Sequence, residues 1–492
     1  MKTKPYAHQL ACLERSWSEI AFAIFLEQGL GKTKIALDTA AALYRGGLVN
    51  GLFVVAPNGV HSNWARREIP AHLSDECGAT VAEWSAKACR STRFESAWQK
   101  LLVCRGLAVF CLNVEGLSSG AAGPAAAHAR AFLSRRRSIM VVDESSRIKT
   151  PSSRRTKQVI ALGRHAAYRR IMTGTPVTQT PFDLYSQFGF LDPSILGFTS
   201  FYSFRHQYGV FEKRVARGAT GNLWRYENLA RYVRLEDLRR RVEPHLYRRT
   251  KDECLDIPDK IYQRIPVEMS AEQARLYRLM EEDGAIEIPD EGFEVLAPLQ
   301  IVRLMRCQQI LGGFSPTATV EGVTKVVPLS GPNPKLERLV ELAVEDYPGK
   351  TIVWARFRAE IDAIVTRFRR EFGDGSVVEF HGGVNKDARV GAVDAFQDPK
   401  GPRFLVGQQA SGIGVTLTAA QQVFYYSNSF SYEQRYQSED RSHRIGLRHP
   451  VVYVDLEVAG TIDERIRDVL KASGERADAV TGDSERRRRC ET

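Results

Sequence analysis

Gly29-Leu30-Gly31-Lys32-Thr33 follows an apolar run, Ala21 to Leu26, and opens a helix-like stretch from Ile35 to Tyr44. Glycines at such a turn let backbone N–H groups face phosphate oxygens, and the helix N-terminus adds a favourable dipole. Lys32 would then sit on the β- and γ-phosphates of a nucleotide, and the Thr33 hydroxyl on Mg²⁺. The match to G-x-x-x-x-G-K-[ST] is incomplete, because Leu26 stands where the first glycine belongs. Taken alone, the stretch also fits an ordinary turn opening a surface helix.

A second constellation supplies the acidic half of such a site. Ser138 to Val142 is a short apolar run that ends in Asp143-Glu144. A carboxylate at Asp143 would hold Mg²⁺, and Glu144 would orient or deprotonate the attacking water. The same residues fit a strand followed by a solvated acidic turn. With the lysine loop upstream, ATP hydrolysis is the stronger reading.

About four hundred residues beyond the lysine, Gln437-Ser438-Glu439-Asp440-Arg441-Ser442-His443-Arg444-Ile445-Gly446 presents two arginines three residues apart. That spacing predicts one shared helix face, from which Arg441 and Arg444 would reach the γ-phosphate as arginine fingers supplied in cis. A solvated basic helix has the same pattern. Gln437 either sets the helix against the nucleotide or caps a turn.

These residues need elements to hold them. Strand-like runs at 52–55, 108–111 and 139–142 alternate with helical stretches up to about residue 190, the texture of a parallel sheet flanked by helices. From about 196 to 250 the chain turns aromatic and basic, as in Phe201-Tyr202-Ser203-Phe204-Arg205, and predicts a mainly helical insertion. After Gly331-Pro332-Asn333-Pro334 a second alternating region begins, with strands at 351–354, 377–380, 404–406 and 451–454. The expected organisation is an α/β lobe over 1–195, a helical insertion and connector over 196–330, a second α/β lobe over 331–474, and a basic, disordered tail over 475–492. The tail carries Arg486 to Arg489, which would add nonspecific DNA affinity or simply be solvated.

Composition sets limits on this picture. At 492 residues the chain is long enough for two or more domains with sizeable cores. Its 69 Lys and Arg against 58 Asp and Glu give a formal charge of +11 and a pI near 9.2, which suits a polyanionic partner. Eight cysteines without a C-x-x-C pair point to reduced thiols rather than disulfides or zinc. Neither an apolar leader nor a membrane-length apolar run is evident, so an intracellular, soluble protein (cytoplasm or nucleoid) is expected, monomeric when isolated and with no membrane partner.

Taken in order, the motifs resemble those of superfamily-two helicase-type ATPases, and among them the Swi/Snf-related DNA translocases, over residues 5–470. Pro5-Tyr6-Ala7-His8-Gln9 resembles the family's glutamine motif, and Glu27 to Thr33 its phosphate loop. Val55-Ala56-Pro57, with Asn63-Trp64, resembles the motif that touches a nucleic-acid backbone. Asp143-Glu144-Ser145-Ser146-Arg147-Ile148-Lys149 resembles D-E-A-H-R-I-K, and Thr173-Gly174-Thr175-Pro176 the motif linking hydrolysis to lobe movement. Arg248-Arg249-Thr250-Lys251 with Ile257-Pro258-Asp259-Lys260 resembles the connector typical of the Swi/Snf group. Ser411-Gly412-Ile413-Gly414, with Leu417-Thr418, and the stretch 437–446 resemble the last two motifs.

The resemblance implies two RecA-like lobes, each a mostly parallel sheet flanked by helices, and ATP with Mg²⁺ as cofactors. It implies a nucleotide site of Tyr6, Gln9, Gly29, Gly31, Lys32 and Thr33, with Thr33 and Asp143 on the metal. Glu144, Gln437, Arg441 and Arg444 are implied for catalysis. DNA contacts are implied at Pro57, Asn58, Asn63, Arg147, Lys149, Ser411 and Gly412, although Arg147 and Lys149 equally fit structural ion pairs. Ser145 and Ser146 replace the usual Ala and His, Thr416 stands where Asn is common, and Phe430-Ser431-Tyr432 where Trp-Asn-Pro is common. The first change bears on coupling and the others on the second lobe's grip on DNA.

The expected function is an ATP-dependent translocase on double-stranded DNA, held mainly by its phosphate backbone. A strand-separating helicase on RNA or single-stranded DNA would use the same engine but needs a wedge that the sequence does not identify. A DNA-binding scaffold with a vestigial ATPase is opposed by the intact Lys32, Asp143, Glu144, Arg441 and Arg444.

Overall fold

The computed structural model describes all residues except 218–222, 283–297, 319–323, 346–348, 410–414, 445, 448 and 484–492. The chain divides into two compact units. One comprises Met1–Leu255 together with the C-terminal segment from Glu475, and the other Asp256–Gly474.

In the first unit the apolar runs become strands β1 (Ala21–Leu26), β2 (Gly51–Ala56), β4 (Ala108–Asn113) and β5 (Ser138–Asp143), joined by β3 (Thr80–Glu83) and β6 (Tyr168–Met172), which have no counterpart among the runs expected from the sequence. They form a seven-stranded sheet in the order β3-β4-β2-β5-β6-β1-β9, every pair parallel, where β9 is Leu246–Arg249. The central strands β1, β2, β4 and β5 are almost wholly apolar because helices cover both faces. The side-chain period of two divides each strand between two cores. Ala23, Phe25, Phe53, Val55, Phe110, Leu112, Met140 and Val142 enter one. Phe22, Ile24, Leu26, Leu52, Val54, Val109, Cys111, Ile139 and Val141 enter the other. A charged group is buried in this unit as well: Arg170 on β6 donates to the Ser16 carbonyl at 2.6 Å, which ties the N-terminal helix Ala7–Ser16 to the sheet.

The aromatic and basic stretch is not mainly helical. After the helix Phe201–Tyr208 it forms an antiparallel hairpin of β7 (Gly209–Arg217) and β8 (Leu223–Tyr232), then the helix Leu235–Val242. Phe204, Tyr208, Leu229, Leu238 and Val242 pack into the first unit's core, so the stretch is an integral part of that unit. The tail expectation is also corrected for its first residues. The helix Ile462–Thr481 continues through Glu475, and Val480 is buried in the first unit's core. Arg486–Arg489 lie outside the described residues.

The second unit holds a six-stranded parallel sheet in the order β10-β17-β16-β13-β15-β14. Its strands are β10 (Lys260–Pro266), β13 (Thr351–Trp354), β14 (Val377–Phe380), β15 (Phe404–Gly407), β16 (Gln422–Tyr425) and β17 (Val451–Glu457). A small hairpin, β11 (Phe314–Ala318) with β12 (Thr324–Pro328), lies in the stretch expected to be helical. Val353, Phe404, Val406, Phe424 and Val454 face one core, and Ile352, Trp354, Leu405, Val423 and Tyr453 the other. Both sheets, with helices on their faces, have the architecture expected of RecA-like lobes. Among the described residues no helix is long and apolar enough to cross a membrane.

Candidate nucleotide site and its supporting network

In a parallel α/β sheet, ligands bind beyond the carboxyl ends of the strands. The first unit gathers its motifs along that edge. Gln28 to Thr33 follow β1, Pro57 follows β2, Asp143-Glu144 close β5, and Thr173 to Pro176 follow β6.

The phosphate loop has the backbone its glycines allow. Gly29 and Gly31 adopt φ of +88° and +79°, which a side chain would strain, and Gly31 precedes the helix Lys32–Arg45. A Cβ on Gly31 would fall 2.2 Å from the Gln9 amide nitrogen, so the glutamine motif lies directly against the loop. Gln9 donates to the Leu30 carbonyl at 3.2 Å and accepts from the Tyr6 N–H, while the His8 ring nitrogen bonds the same carbonyl at 3.0 Å. Tyr6 is exposed and stacks on His8. Lys32 is buried, and its ammonium donates to the Leu26 and Glu27 carbonyls at 2.9 and 3.2 Å.

Asp143 ends β5, buried, with its pKa raised by burial and opposed by the Trp64 hydrogen bond and the Lys32 charge. Its Oδ2 accepts from the Trp64 indole at 2.8 Å and its Oδ1 from the Glu144 N–H at 3.0 Å. Glu144 sits at φ +50°, an uncommon conformation for a residue with a side chain. Thr173 donates to its carboxylate at 3.2 Å. The hydroxyl of Thr33 at the helix start and the buried Asp143 carboxylate within the field of Lys32 form a hard oxygen donor set, which fits Mg²⁺ carried by a polyphosphate.

The backbone-contact candidates have more varied surroundings. Pro57 is buried and Asn58 exposed, with the Asn58 N–H donating to Glu115 at 3.0 Å. Asn63 is half-buried and donates to Glu68 at 3.1 Å. Lys149 forms no ion pair among the described residues; it donates to Thr178 and Gln179 at 2.9 and 2.6 Å, joining the acidic loop to the segment after Pro176. Arg147 is half-buried, and its Nε has no partner among the described residues. Ser411 and Gly412 lie outside the described residues.

In the second unit the helix Tyr432–Ser442 carries Gln437 and Arg441 but ends before Arg444. The expectation of one shared helix face is therefore corrected. His443 leaves the helical conformation and its ring donates to the Pro258 carbonyl at 2.7 Å. Arg441 is almost fully buried, donates to the Gln409 carbonyl at 2.6 Å and lies over the Trp354 ring. Burial lowers its pKa to about 10. Arg444 is half-buried and donates to the Asp440 carbonyl and the Thr416 hydroxyl, both at 2.9 Å. Gln437 is buried and donates to Glu433 on its own helix at 3.1 Å.

Sequence reasoning missed what anchors this helix. Glu439 receives Arg435 at 2.8 Å, Lys260 at 3.1 Å and the Tyr262 hydroxyl at 2.7 Å. Burial alone would raise the Glu439 pKa, yet Lys260 and Arg435 hold it down to about 2. The connector residues take part in both sheets. Arg248 on β9 donates to the Phe25 and Gly174 carbonyls at 3.1 and 2.9 Å and pairs with Asp483 at 2.7 Å. Lys260 opens β10.

Known proteins resemble this chain over most of its length. The SNF2-related domain model matches residues 15–309 and the helicase conserved C-terminal domain model residues 334–446. Protein CHROMATIN REMODELING 4 of Arabidopsis thaliana is 25% identical across 95% of the chain and 20% of its own length. The putative ATP-dependent helicase/translocase YwqA of Bacillus subtilis is 25% identical across 67% of the chain and 34% of its own length. The chain thus spans a fifth to a third of these relatives. A solved Sulfolobus solfataricus SWI2/SNF2 ATPase core in complex with dsDNA covers 98% of the chain and 94% of its own, with 21% identity and a TM-score of 0.40. With its phosphate loop, acidic pair and second-unit arginines in family order, and a family model spanning residues 15–309, the chain belongs to the SNF2-related family.

Proposed function

We propose that the chain is a DNA-dependent ATPase that translocates on double-stranded DNA. The observation that carries this reading is the convergence of Lys32, Asp143, Glu144 and Thr173 at one sheet edge, with the backbone-contact segment 57–64 following the neighbouring strand β2. Lys32 exchanges its bonds to the Leu26 and Glu27 carbonyls for the β- and γ-phosphates. Thr33 and Asp143 would hold Mg²⁺, which would neutralise charge on the phosphate oxygens. Glu144 orients the attacking water and takes its proton. The Thr173 hydroxyl, bonded to Glu144 and leading into Gly174-Thr175-Pro176, ties the state of the water site to the strand ends.

Arg444 supplies positive charge to the γ-phosphate as an arginine finger, and Arg441 holds the Gln409 carbonyl within its own unit. Backbone N–H groups and amides at Asn58 and Asn63 grip phosphates, so binding is weakly sequence-selective and strongly salt-dependent. Alternating grip by the two units gives directional stepping.

Triplex displacement on a blunt duplex tests movement. Wild type with ATP strips the third strand. Glu144→Gln binds ATP but neither turns it over nor strips, and Lys32→Ala does neither. ATP-dependent turnover on duplex DNA with no displacement would leave an ATPase that does not move.

A further inference from the structure

The Trp64 indole is the least expected contact at the nucleotide site. Trp64 is 1% exposed, and a buried indole N–H is a donor that needs an acceptor. A partner is not automatic in this chain, since the buried Trp84 and Trp354 indoles have none among the described residues. Trp64 instead directs its N–H at Asp143 Oδ2, 2.8 Å away and 79 residues further along the chain.

The local backbone is arranged around this contact. Gly59, at φ +86°, turns the chain after Pro57 into the short helix Val60–Asn63. At Trp64 the helix widens into a π-turn, Trp64–Glu68, whose Trp64 carbonyl accepts from Ile69 five residues on, before it resumes at Ile69–His72. Such a turn is rare and is found frequently at functional sites. Here it lets adjacent residues differ: Trp64 enters the core beneath the phosphate-loop helix, while Asn63 stays half-buried among the backbone-contact candidates. With Oδ2 taken by Trp64 and Oδ1 by the Glu144 N–H, the carboxylate has one defined orientation.

We infer that Trp64 is a positioning residue: it fixes the Asp143 carboxylate for Mg²⁺ and carries the grip of Asn58 and Asn63 on a nucleic-acid backbone to that metal ligand. The inference rests on the ATPase reading above. Outer partners of metal ligands change metal affinity by about 10- to 100-fold when removed. A shift of the short helix 60–63 moves the indole, and with it the carboxylate, so nucleic acid and Mg²⁺ affinities become linked.

The test compares wild type, Trp64→Phe and Trp64→His by calorimetric binding of ADP in EDTA and across a Mg²⁺ series, with and without blunt duplex DNA. Wild type should gain ADP affinity from Mg²⁺, with a half-saturation that duplex DNA shifts. Trp64→Phe should bind ADP in EDTA as wild type does, need about tenfold more Mg²⁺ and lose the DNA shift. Trp64→His, which keeps a ring N–H, should recover part of both. Equal Mg²⁺ half-saturation in Trp64→Phe and wild type overturns the inference and leaves the ATPase reading intact. No Mg²⁺ effect in wild type overturns both. If Trp64→Phe does not fold, the indole resonances of ¹⁵N-tryptophan wild type decide, assigned with Trp64→His. One of the six must move when Mg²⁺ joins ADP-bound protein, and six unmoved resonances contradict the inference.

Discussion

Arg441 and Arg444 look equivalent in sequence and have different surroundings in the structure. Arg441 is enclosed by its own unit, its guanidinium on the Gln409 carbonyl and over Trp354. Arg444 stands past the helix end, on Thr416. Arg444→Ala is therefore expected to lower kcat about a thousandfold with little change in melting temperature. Arg441→Ala should lower both, because it opens a cavity and strands a buried carbonyl. Equal thermal losses in the two variants, or an unchanged kcat in Arg444→Ala, would contradict this division. The types and order of Lys32, Asp143, Glu144 and the arginines were legible because each chemistry permits few residue types. Burial was not legible: an arginine on Gln409 and one in solvent have the same neighbours in sequence. Trp64 was visible beside Asn63, but a hydrogen bond across 79 residues leaves no local pattern.

Elements were read well where burial dictates a simple period. The runs at 21–26, 52–55, 139–142 and 351–354 all became strands, since a two-sided core demands a run of apolar residues. The hairpin of β7 and β8 was missed because a register irregularity between Val210 and Phe211 breaks its period, and charged residues interrupt both strands. A different kind of element is the buried network around Glu360, which opens the helix Arg358–Phe372. Its Oε2 accepts from the Phe357 N–H at 3.1 Å and the Ser427 hydroxyl at 2.6 Å, while Oε1 has no partner among the described residues. Burial raises its pKa to about 7. A carboxyl whose folded pKa exceeds its unfolded one stabilises fully below the unfolded value, and that contribution is lost as pH rises through the folded value. Wild type should therefore lose about 3 kcal/mol relative to Glu360→Gln between pH 4.5 and 7. Parallel pH profiles of denaturant unfolding for the two proteins would contradict it.

At the scale of the molecule, each unit takes an edge strand from the family connector: β9 closes the first sheet and β10 the second. The side chains of these strands reach candidate motif residues, Arg248 to the carbonyls of Phe25 and Gly174, and Lys260 to Glu439 on the helix Tyr432–Ser442. The connector's role in both sheets was hidden in the sequence, where the stretch falls within the helical insertion and connector expected over 196–330. Its position supports an engine in which nucleotide chemistry and nucleic-acid grip are coupled through the strand ends. The most direct measurement of that coupling is the steady-state ATPase rate at one fixed salt concentration with no nucleic acid, single-stranded DNA, blunt duplex DNA and duplex RNA. The account predicts strong stimulation by blunt duplex DNA above all others. Equal or greater stimulation by single strands or RNA would contradict a double-stranded DNA translocase.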